Sequence, residues 1–259
     1  MKIRIFQVDA FTNETFGGNP AAVCPLEKWP DEKLMQQIAA ENNLSETAFF
    51  VKEGDKYRIR WFTPLAEVKL CGHATLASAH VLFHHLNFDQ KEITFISKSG
   101  VLRVSIEDGL LVLNFPVADF YKVDPPGILI EALGVEPLET YKGEKYLSLL
   151  NSEKEILNAK PDMEKIKQLD AQGVIITARG EIVDFVSRFF APKLGINEDP
   201  VTGSAHTMLV PFWAEKYGKN KLTALQLSQR KGEVIGRMKK DRVELIGNAV
   251  TFMKGDIEL

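Results

Sequence analysis

The segment CGHATLA, residues 71–77, decides the fold, because TGSAHT at residues 202–207 repeats its pattern more than a hundred residues later. In each segment a glycine opens an apolar helical run. Each also follows aromatic residues that precede a proline, in WFTP at 61–64 and RFFAP at 188–192. A second glycine follows at a similar distance, 28 residues after Gly72 and 29 residues after Gly203. The repeat predicts two similar lobes related by approximate two-fold symmetry.

Each lobe is predicted to be a curved, mostly antiparallel, barrel-like sheet wrapped around a central helix, so the predicted fold class is α+β. The two central helices are expected to begin near His73 and Ser204. Both are apolar on nearly every side, and such a helix has to be enclosed by other elements. Short alternating segments around them are typical of strands, and Asp108-Gly109 predicts a hairpin turn. We place the lobes at residues 1–117 and 118–259.

Composition and charge argue against several classes of protein. The 259-residue chain is 45% hydrophobic and 26% charged, as in an ordinary globular protein. A net charge of −3 gives no reason to expect a nucleic-acid partner, and no apolar run reaches membrane-spanning length. Two cysteines without a CxxC pair indicate neither a disulfide framework nor a zinc site. The N-terminal segment is unlike a signal peptide, and a cytoplasmic location is expected.

The repeated glycines point to anion binding, since a helix N-terminus presents unpaired backbone N–H groups and the positive end of the helix dipole. The amides after Gly72 and Gly203, together with the Ser204 hydroxyl, suit a substrate carboxylate. Glycine lets a ligand approach these amides closely. Because the repeat is expected to set the two N-termini across one cleft, function is expected there.

Three titratable side chains are candidates for proton transfer. Glu46 lies at the start of a predicted strand, His73 lies at the first helix N-terminus, and Asp199 precedes Gly203 by four residues. A general acid or base, an imidazole and a second carboxylate aimed at one cleft suit this chemistry. Taken singly, each is also a common structural residue: a solvated acid, a helix-start histidine, and a turn former before a proline.

Cys71 and the pair His80 and His84 have less specific interpretations. Cys71 is either a buried small apolar residue or a thiol whose pKa is lowered by the adjacent helix N-terminus. His80 and His84 have the i, i+4 spacing of a metal-ligand pair. With no third ligand in evidence, packed or solvent-facing histidines are the better account. Neither a metal nor a cofactor is therefore expected.

Four blocks of the sequence together resemble the signature segments of the phenazine-biosynthesis PhzF-like isomerases. They are FGGNPAAV at 16–23, LSETAF at 44–49, CGHATLA at 71–77 and EDPVTGSAH at 198–206. The resemblance covers essentially the whole chain, with the blocks in order and at family spacing. It implies the diaminopimelate-epimerase fold, whose two pseudo-symmetric lobes agree with the prediction from the repeat.

The resemblance also implies roles for individual residues. Glu46 matches the family's catalytic carboxylate, which moves a proton across one face of the substrate, and His73 and Asp199 match its flanking polar residues. The positions around the bound carboxylate are matched by Ser45, Gly72, Gly203 and Ser204. A small-molecule carboxylate is the implied partner, no cofactor is implied, and the chain is expected to form a homodimer.

The predicted function is cofactor-independent isomerisation of a small carboxylated metabolite, with Glu46 as the general acid/base in the inter-lobe cleft. One alternative is an amino-acid epimerase or racemase of the same fold. Those relatives use a cysteine at each helix N-terminus, whereas residues 198–206 contain none, so Cys71 leaves only a one-thiol variant open. The other alternative is a small-molecule binding protein that kept the cleft and lost turnover.

Overall fold

The computed structural model describes residues 2–259 and divides them into two compact units. One unit runs to Asn114 and also includes Ile246–Leu259, and the other is Phe115–Leu245. In both units strands outnumber helices, in agreement with the predicted α+β class built on curved sheets. No helix among the described residues is long and apolar enough to cross a membrane.

The first unit is built from strands, one short helix and one long helix. Its strands are β1 (Lys2–Ala10), β2 (Asn19–Leu26), β3 (Glu46–Glu53), β4 (Lys56–Phe62), β5 (Glu67–Val68), β6 (Glu92–Ser97), β7 (Gly100–Glu107), β8 (Leu110–Pro116) and the C-terminal β18 (Ala249–Glu258). Its helices are α1 (Glu32–Asn42) and α2 (Gly72–His85).

The second unit repeats this composition with additional short helices. Its strands are β9 (Tyr121–Val123), β10 (Glu139–Lys142), β11 (Tyr146–Leu149), β12 (Val174–Arg179), β13 (Phe185–Ala191), β14 (Ile196–Asp199), β15 (Lys221–Gln226), β16 (Gly232–Lys239) and β17 (Arg242–Gly247). Its helices are α3 (Gly127–Leu133), α4 (Glu153–Asn158), α5 (Met163–Ile166) and α6 (Gly203–Tyr217), with a 3-10 turn at Pro192–Leu194.

The two units have the same strand order, which confirms the duplicated architecture predicted from the repeat. Neighbouring strands in the first unit are β18, β1, β2, β3, β4, β6, β7 and β8. The corresponding series in the second unit is β9, β10, β11, β12, β13, β15 and β16. Parallel pairs also correspond, because β2–β3 and β4–β6 match β11–β12 and β13–β15. Each of these parallel pairs is joined through a helical crossover, as parallel neighbours require.

The C-terminal strand does not belong to the lobe predicted at residues 118–259, and the predicted bounds are wrong there. β18 pairs antiparallel with β1, so the last residues of the chain belong to the first unit. β9, which follows the first copy of the repeat, takes the equivalent outer position beside β10 in the second unit. The end of the chain therefore returns to the first unit. The sequence pattern could not show this return, because it predicts strands but not their distant partners.

The two predicted central helices are buried, as expected. α2 is buried throughout residues 73–82, and α6 is buried at most positions of 203–214. α2 packs on β1, β2, β3 and β18, whereas α6 packs on β15 and β16. Small residues of α2, among them Ala74, Ala77 and Ser78, let the strands approach closely. Because each large apolar side chain buried in this way stabilises the fold by about 1.5–3 kcal/mol, the enclosed helices anchor their units.

The hairpin predicted at Asp108-Gly109 is confirmed. Asp108 and Gly109 have φ values of 50° and 82°, the two positive φ angles of a tight hairpin turn. At the start of α1, the Asp31 carboxylate accepts a hydrogen bond from Lys33 N at 2.8 Å and caps the helix.

Pro211 interrupts the backbone hydrogen bonding of α6. Proline has no N–H, so the Thr207 carbonyl loses its usual helical partner. The backbone N–H of Ala118 donates to that carbonyl instead, at 3.3 Å. The segment before β9 thus supplies the missing donor, and the helix keeps its buried apolar residues on both sides of the proline.

The start of α6 is held in place by one buried side chain, Gln226 at the end of β15. Its Oε1 accepts from Thr202 N at 2.8 Å, and its Nε2 donates to the Asp199 carbonyl at 2.7 Å and to Thr202 Oγ1 at 3.2 Å. The backbone N–H of Thr202 needs an acceptor and the carbonyl of Asp199 needs a donor. The oxygen and the nitrogen of the Gln226 side-chain amide can therefore be assigned in only one orientation. Gln226 therefore fixes both the end of β14 and the N-cap of α6.

We expect Gln226→Leu to lower the free energy of unfolding by about 2–4 kcal/mol, because two buried backbone groups would lose their partner. Urea unfolding followed by circular dichroism measures this change. Gln168→Leu is the matched control: Gln168 is exposed, and its substitution should change stability by less than about 0.5 kcal/mol. Equal stabilities of the two variants would contradict the assigned role of Gln226.

Candidate active site

Glu46 is the first residue of β3, and the sheet register fixes its position. α1 ends at Asn42, and its C-cap Asn43 adopts the left-handed conformation with φ 48° and ψ 36°. Asn42 Nδ2 then donates to Thr47 Oγ1 at 3.0 Å, which ties the end of the helix to the start of the strand. β3 lies parallel to β2 with Glu46 opposite Ala21, and the half-buried Ser45 immediately precedes the strand. The carboxylate is therefore carried by a strand rather than by a mobile loop.

His73, the second residue of α2, lies against Glu46. Its Nε2 is 3.3 Å from Glu46 Oε2, and both side chains are largely buried, at 5% and 13% exposed. Burial lowers the pKa of His73 to about 3, because the apolar surroundings disfavour the charged imidazolium. At neutral pH the imidazole is therefore neutral, and its contact with Glu46 is not an ion pair.

Two further polar groups contact the other nitrogen of the His73 ring. Nδ1 lies 3.2 Å from Asn19 Nδ2 and 3.5 Å from Cys71 Sγ. Asn19 is the first residue of β2, and Cys71 is the N-cap of α2, so three elements meet around the ring. The buried imidazole is thus held on both edges, and its orientation relative to Glu46 is fixed.

The loop that precedes Asn19 explains the two glycines at 17 and 18. Gly18 has a φ of 61°, and a Cβ built on it would lie 2.2 Å from the Ala10 carbonyl oxygen. The Asp9 carboxylate accepts from Phe16 N at 2.9 Å, which holds the loop against β1. Only glycine permits this close return of the chain, and the return places Asn19 beside His73.

The first turn of α2 presents its backbone amides without a cap from its own N-cap side chain. Cys71 is extended, with φ −144° and ψ 112°, and its side chain makes no capping hydrogen bond. Thr75 Oγ1 instead donates to the Cys71 carbonyl at 2.5 Å. An extended N-cap followed by a glycine and uncapped N–H groups suits an anion. Glu46, Cys71 and His73 cluster at this point, with one ligand-type atom from each lying within 4.8 Å of the others.

The equivalent turn of α6 carries the candidates of the second unit. Asp199, the last residue of β14, is buried, and Thr202 Oγ1 donates to its Oδ2 at 2.5 Å. Thr202 is the extended N-cap and provides no side-chain cap to the helix. Gly203 is buried, whereas Ser204 is exposed. Asp199 and the first turn of α6 are therefore fixed to each other through Thr202.

The two helix starts correspond residue by residue. Cys71 and Thr202 occupy the same N-cap position, four residues before Thr75 and His206. His206 Nδ1 donates to the Thr202 carbonyl at 2.8 Å, as Thr75 does to that of Cys71. Thr202 thus stands where the second thiol of a two-cysteine epimerase would be expected.

A bidentate Arg–Glu pair precedes each helix start. Arg60 on β4 binds Glu67 on β5 through two hydrogen bonds of 2.8 and 2.7 Å. Arg188 on β13 binds Glu198 on β14 in the same way, at 2.7 and 2.9 Å. Paired donors matched to both carboxylate oxygens hold two strands in one geometry. The segment that leads into each central helix therefore follows two strands that an Arg–Glu pair holds together.

The structure thus brings together Glu46 and His73, which the sequence indicated, and adds Asn19 and Gln226, which sequence reasoning missed as site residues. The glycine pair before Asn19 was the available signal for it. No local signal marked Gln226.

His80 and His84 lie near each other at the other end of α2, with ring centroids 4.6 Å apart, and His80 Nε2 lies 2.9 Å from Thr251 Oγ1.

Comparison with known proteins identifies the family and the fold of this chain. Residues 8–255 match the model of the PhzC-PhzF family, described as phenazine biosynthesis-like protein. An uncharacterized isomerase of Pseudomonas aeruginosa is 50% identical, with each chain covered completely. The crystal structure of a PhzF-family protein from Enterococcus faecalis superposes with a TM-score of 0.98 at 46% identity, again over the whole of both chains.

A more distant structure bears on the fold alone. A predicted epimerase from Pseudomonas aeruginosa has a TM-score of 0.75 at 20% identity, and the match covers 98% of this chain and 99% of that one. The epimerase-like fold predicted from the resemblance is therefore confirmed. With a family model matched over nearly its full length and close relatives named as isomerases, the chain belongs to the phenazine biosynthesis-like PhzC-PhzF family of isomerases.

Proposed function

We propose that the protein is a cofactor-independent isomerase that moves a proton between carbon atoms of a small carboxylated metabolite, with Glu46 as the general acid/base. The observation that carries the proposal is the 3.3 Å contact of Glu46 Oε2 with the neutral, buried His73 at the start of α2. A carboxylate beside a neutral ring and next to uncapped helix amides can exchange a proton with a bound anion.

The first-turn amides of α2 supply the binding energy in this proposal. A substrate carboxylate placed there neutralises part of its charge against the N–H groups after Gly72. Negative charge that develops when Glu46 removes an adjacent carbon-bound proton is stabilised by the same donors. Glu46 then returns the proton to another carbon on the same face. Glu46 serves first as the base and then as the acid, so the proposed reaction does not need a pair of thiols.

His73 and Asp199 have supporting roles in the proposal. The neutral His73 ring orients the Glu46 carboxylate without adding a positive charge that would weaken it as a base. We propose that Asp199, with Gly203 and Ser204, takes part in the same reaction by contacting polar or carboxylate groups of the substrate, and that Ser45 does so beside Glu46. The support for these roles is the sequence repeat and the matching arrangement of the two helix starts.

Epimerisation or racemisation is the second candidate, favoured by Cys71 at the N-cap of α2 and by the epimerase-like fold. A two-base epimerase places a solvent-derived proton on the opposite face of the carbon. Thr202 at the equivalent position of α6 argues against a second thiol base. The two candidates therefore predict different origins for the proton in the product.

Isotope exchange separates the two candidates. We expect turnover in deuterated water, with a panel of small unsaturated or amino-bearing carboxylates as substrates, to give product with less than one deuterium per molecule, because Glu46 can return the proton it removed. Mass spectrometry and NMR of the product measure this content. One full deuterium at an inverted centre would support the two-base reaction, and binding without exchange would support a binding protein.

Glu46→Gln is expected to lower the turnover rate by ~10²–10⁴-fold, because the amide keeps the shape of the side chain but carries no transferable proton. Binding of a substrate carboxylate, measured by calorimetry, should remain. Glu53→Gln is the matched control at the far end of β3, where Glu53 is bound to Arg58 at the surface, and it should leave turnover unchanged. Near-wild-type turnover of Glu46→Gln would show that the catalytic assignment is wrong.

We also propose that the chain forms a homodimer, as the family resemblance implies. Sedimentation velocity at micromolar concentration should then give the mass of two chains, about twice the 29.1 kDa of one. A single species with the mass of one chain would contradict the proposal.

A further inference from the structure

Two of the buried histidines, His73 and His206, are neutral at neutral pH. Burial lowers the pKa of His73 to about 3 and the pKa of His206 to about 4. A neutral imidazole carries one proton, on either Nδ1 or Nε2, so one ring nitrogen donates a hydrogen bond while the other accepts. The groups that contact each ring therefore determine its tautomer, and the tautomer determines what the ring offers to its other neighbours.

The contact of His206 allows only one tautomer. Its Nδ1 lies 2.8 Å from the carbonyl oxygen of Thr202. Because a carbonyl oxygen can only accept, Nδ1 carries the proton and Nε2 does not. The ring of His206 is therefore in the Nδ1–H tautomer.

The contacts of His73 indicate the opposite tautomer. The side-chain amide nitrogen of Asn19 lies 3.2 Å from Nδ1, and an amide nitrogen can only donate. The Cys71 sulfur lies 3.5 Å from the same ring nitrogen, and a thiol is a weak donor. A ring nitrogen that receives a donor carries no proton itself. The proton of His73 therefore lies on Nε2, which is 3.3 Å from Glu46 Oε2.

The fold holds the Asn19 amide at this position. Asn19 is wholly buried at the start of β2, where it pairs with Ala10 of β1, and the return of the chain at Gly18 leads directly into it. His73 is held in the first turn of α2. A strand and a helix start thus fix the donor and the ring relative to each other, and the hydrogen bond at one ring nitrogen sets the state of the other.

We propose that Asn19 is a positioning residue that keeps His73 in the Nε2–H tautomer, so that the ring donates to Glu46 instead of accepting from it. A donor at Oε2 stabilises the carboxylate that removes the substrate proton, whereas an unprotonated Nε2 would favour the carboxylic acid. The 3.3 Å separation is long for a hydrogen bond, and catalytic contacts often shorten in the substrate complex. The effect on the reaction rests on the proposed function, but the tautomer does not.

Nitrogen-15 NMR of the imidazole rings tests the tautomer without any turnover measurement. Long-range proton–nitrogen correlation distinguishes protonated from unprotonated ring nitrogens, and the chain has five histidines, which can be assigned through bonds from their backbones. In the intact protein at neutral pH we expect His73 to show a protonated Nε2 and an unprotonated Nδ1. His206 should show the reverse and is the internal reference. A proton on Nδ1 of His73, or equal populations of the two tautomers, would overturn the proposal.

Asn19→Asp tests whether Asn19 sets the tautomer. The carboxylate has nearly the shape of the amide but accepts, so we expect Nδ1 of His73 to become protonated, as the other tautomer or as the imidazolium. The titratable side chains of Glu46 and Cys71 that contact the ring stay in place. Turnover should fall by ~10²–10⁴-fold, since the wrong histidine tautomer costs about 10⁴ in a catalytic triad. Asn158→Asp makes the same change at an exposed position and should alter neither the tautomer nor turnover.

Asn19→Ala keeps the test decisive if circular dichroism shows that Asn19→Asp does not fold. Removal of the amide should leave a measurable population of His73 with its proton on Nδ1. An unchanged tautomer in the folded variants, even with a loss of turnover, would overturn the role of Asn19. A changed tautomer without any loss of turnover would support that role and would overturn the proposed action of His73 on Glu46.

Discussion

The fold depends on one constraint, which is that each unit must enclose a helix that is apolar on nearly all sides. α2 and α6 are buried over most of their length, and no solvent-facing stripe remains along the enclosed part of α2. A helix of this kind is stable only when strands pack around it, and its first-turn amides cannot find partners within the helix. Each helix therefore has a buried body, and its first-turn amides have no partners inside the helix. The chemistry proposed for the protein is located at that first turn.

The duplicated framework is more uniform than the chemistry it carries. Both units use the same strand order, the same parallel crossovers and a bidentate Arg–Glu pair before the central helix. The residues of the first turn nevertheless differ, since Cys71 and His73 correspond to Thr202 and Ser204. Strand pairing and the partly buried Arg–Glu pairs belong to the framework that the two units share. The side chains of the first turn are the part in which the two units differ.

Burial and the helix dipole together set the electrostatics at the first turn of α2. Burial keeps His73 neutral, so the imidazole orients Glu46 without forming a charged pair with it. The N-terminal end of the helix dipole supplies positive potential for an anionic group, and the dipole requires no titratable side chain.

The sequence by itself determined the features that are local or periodic. The repeat around Gly72 and Gly203 predicted two similar halves with enclosed helices, because apolar periodicity and a helix-opening glycine are properties of adjacent residues. Glu46 and His73 were identified as candidates from their positions at a strand start and a helix start and from motif resemblance, and their role stays a prediction. Asp108-Gly109 predicted its hairpin for the same local reason.

Only the tertiary structure decided what depends on distant partners. The return of the chain at Gly18 places Asn19 against His73, and the end of β15 places Gln226 against the loop before α6. The pairing of β18 with β1 is likewise a contact between distant segments, which the alternation of residues along a strand does not encode. Contacts of this kind join residues far apart in the chain, and their specificity comes from backbone hydrogen bonds and packing that exist only in the folded protein.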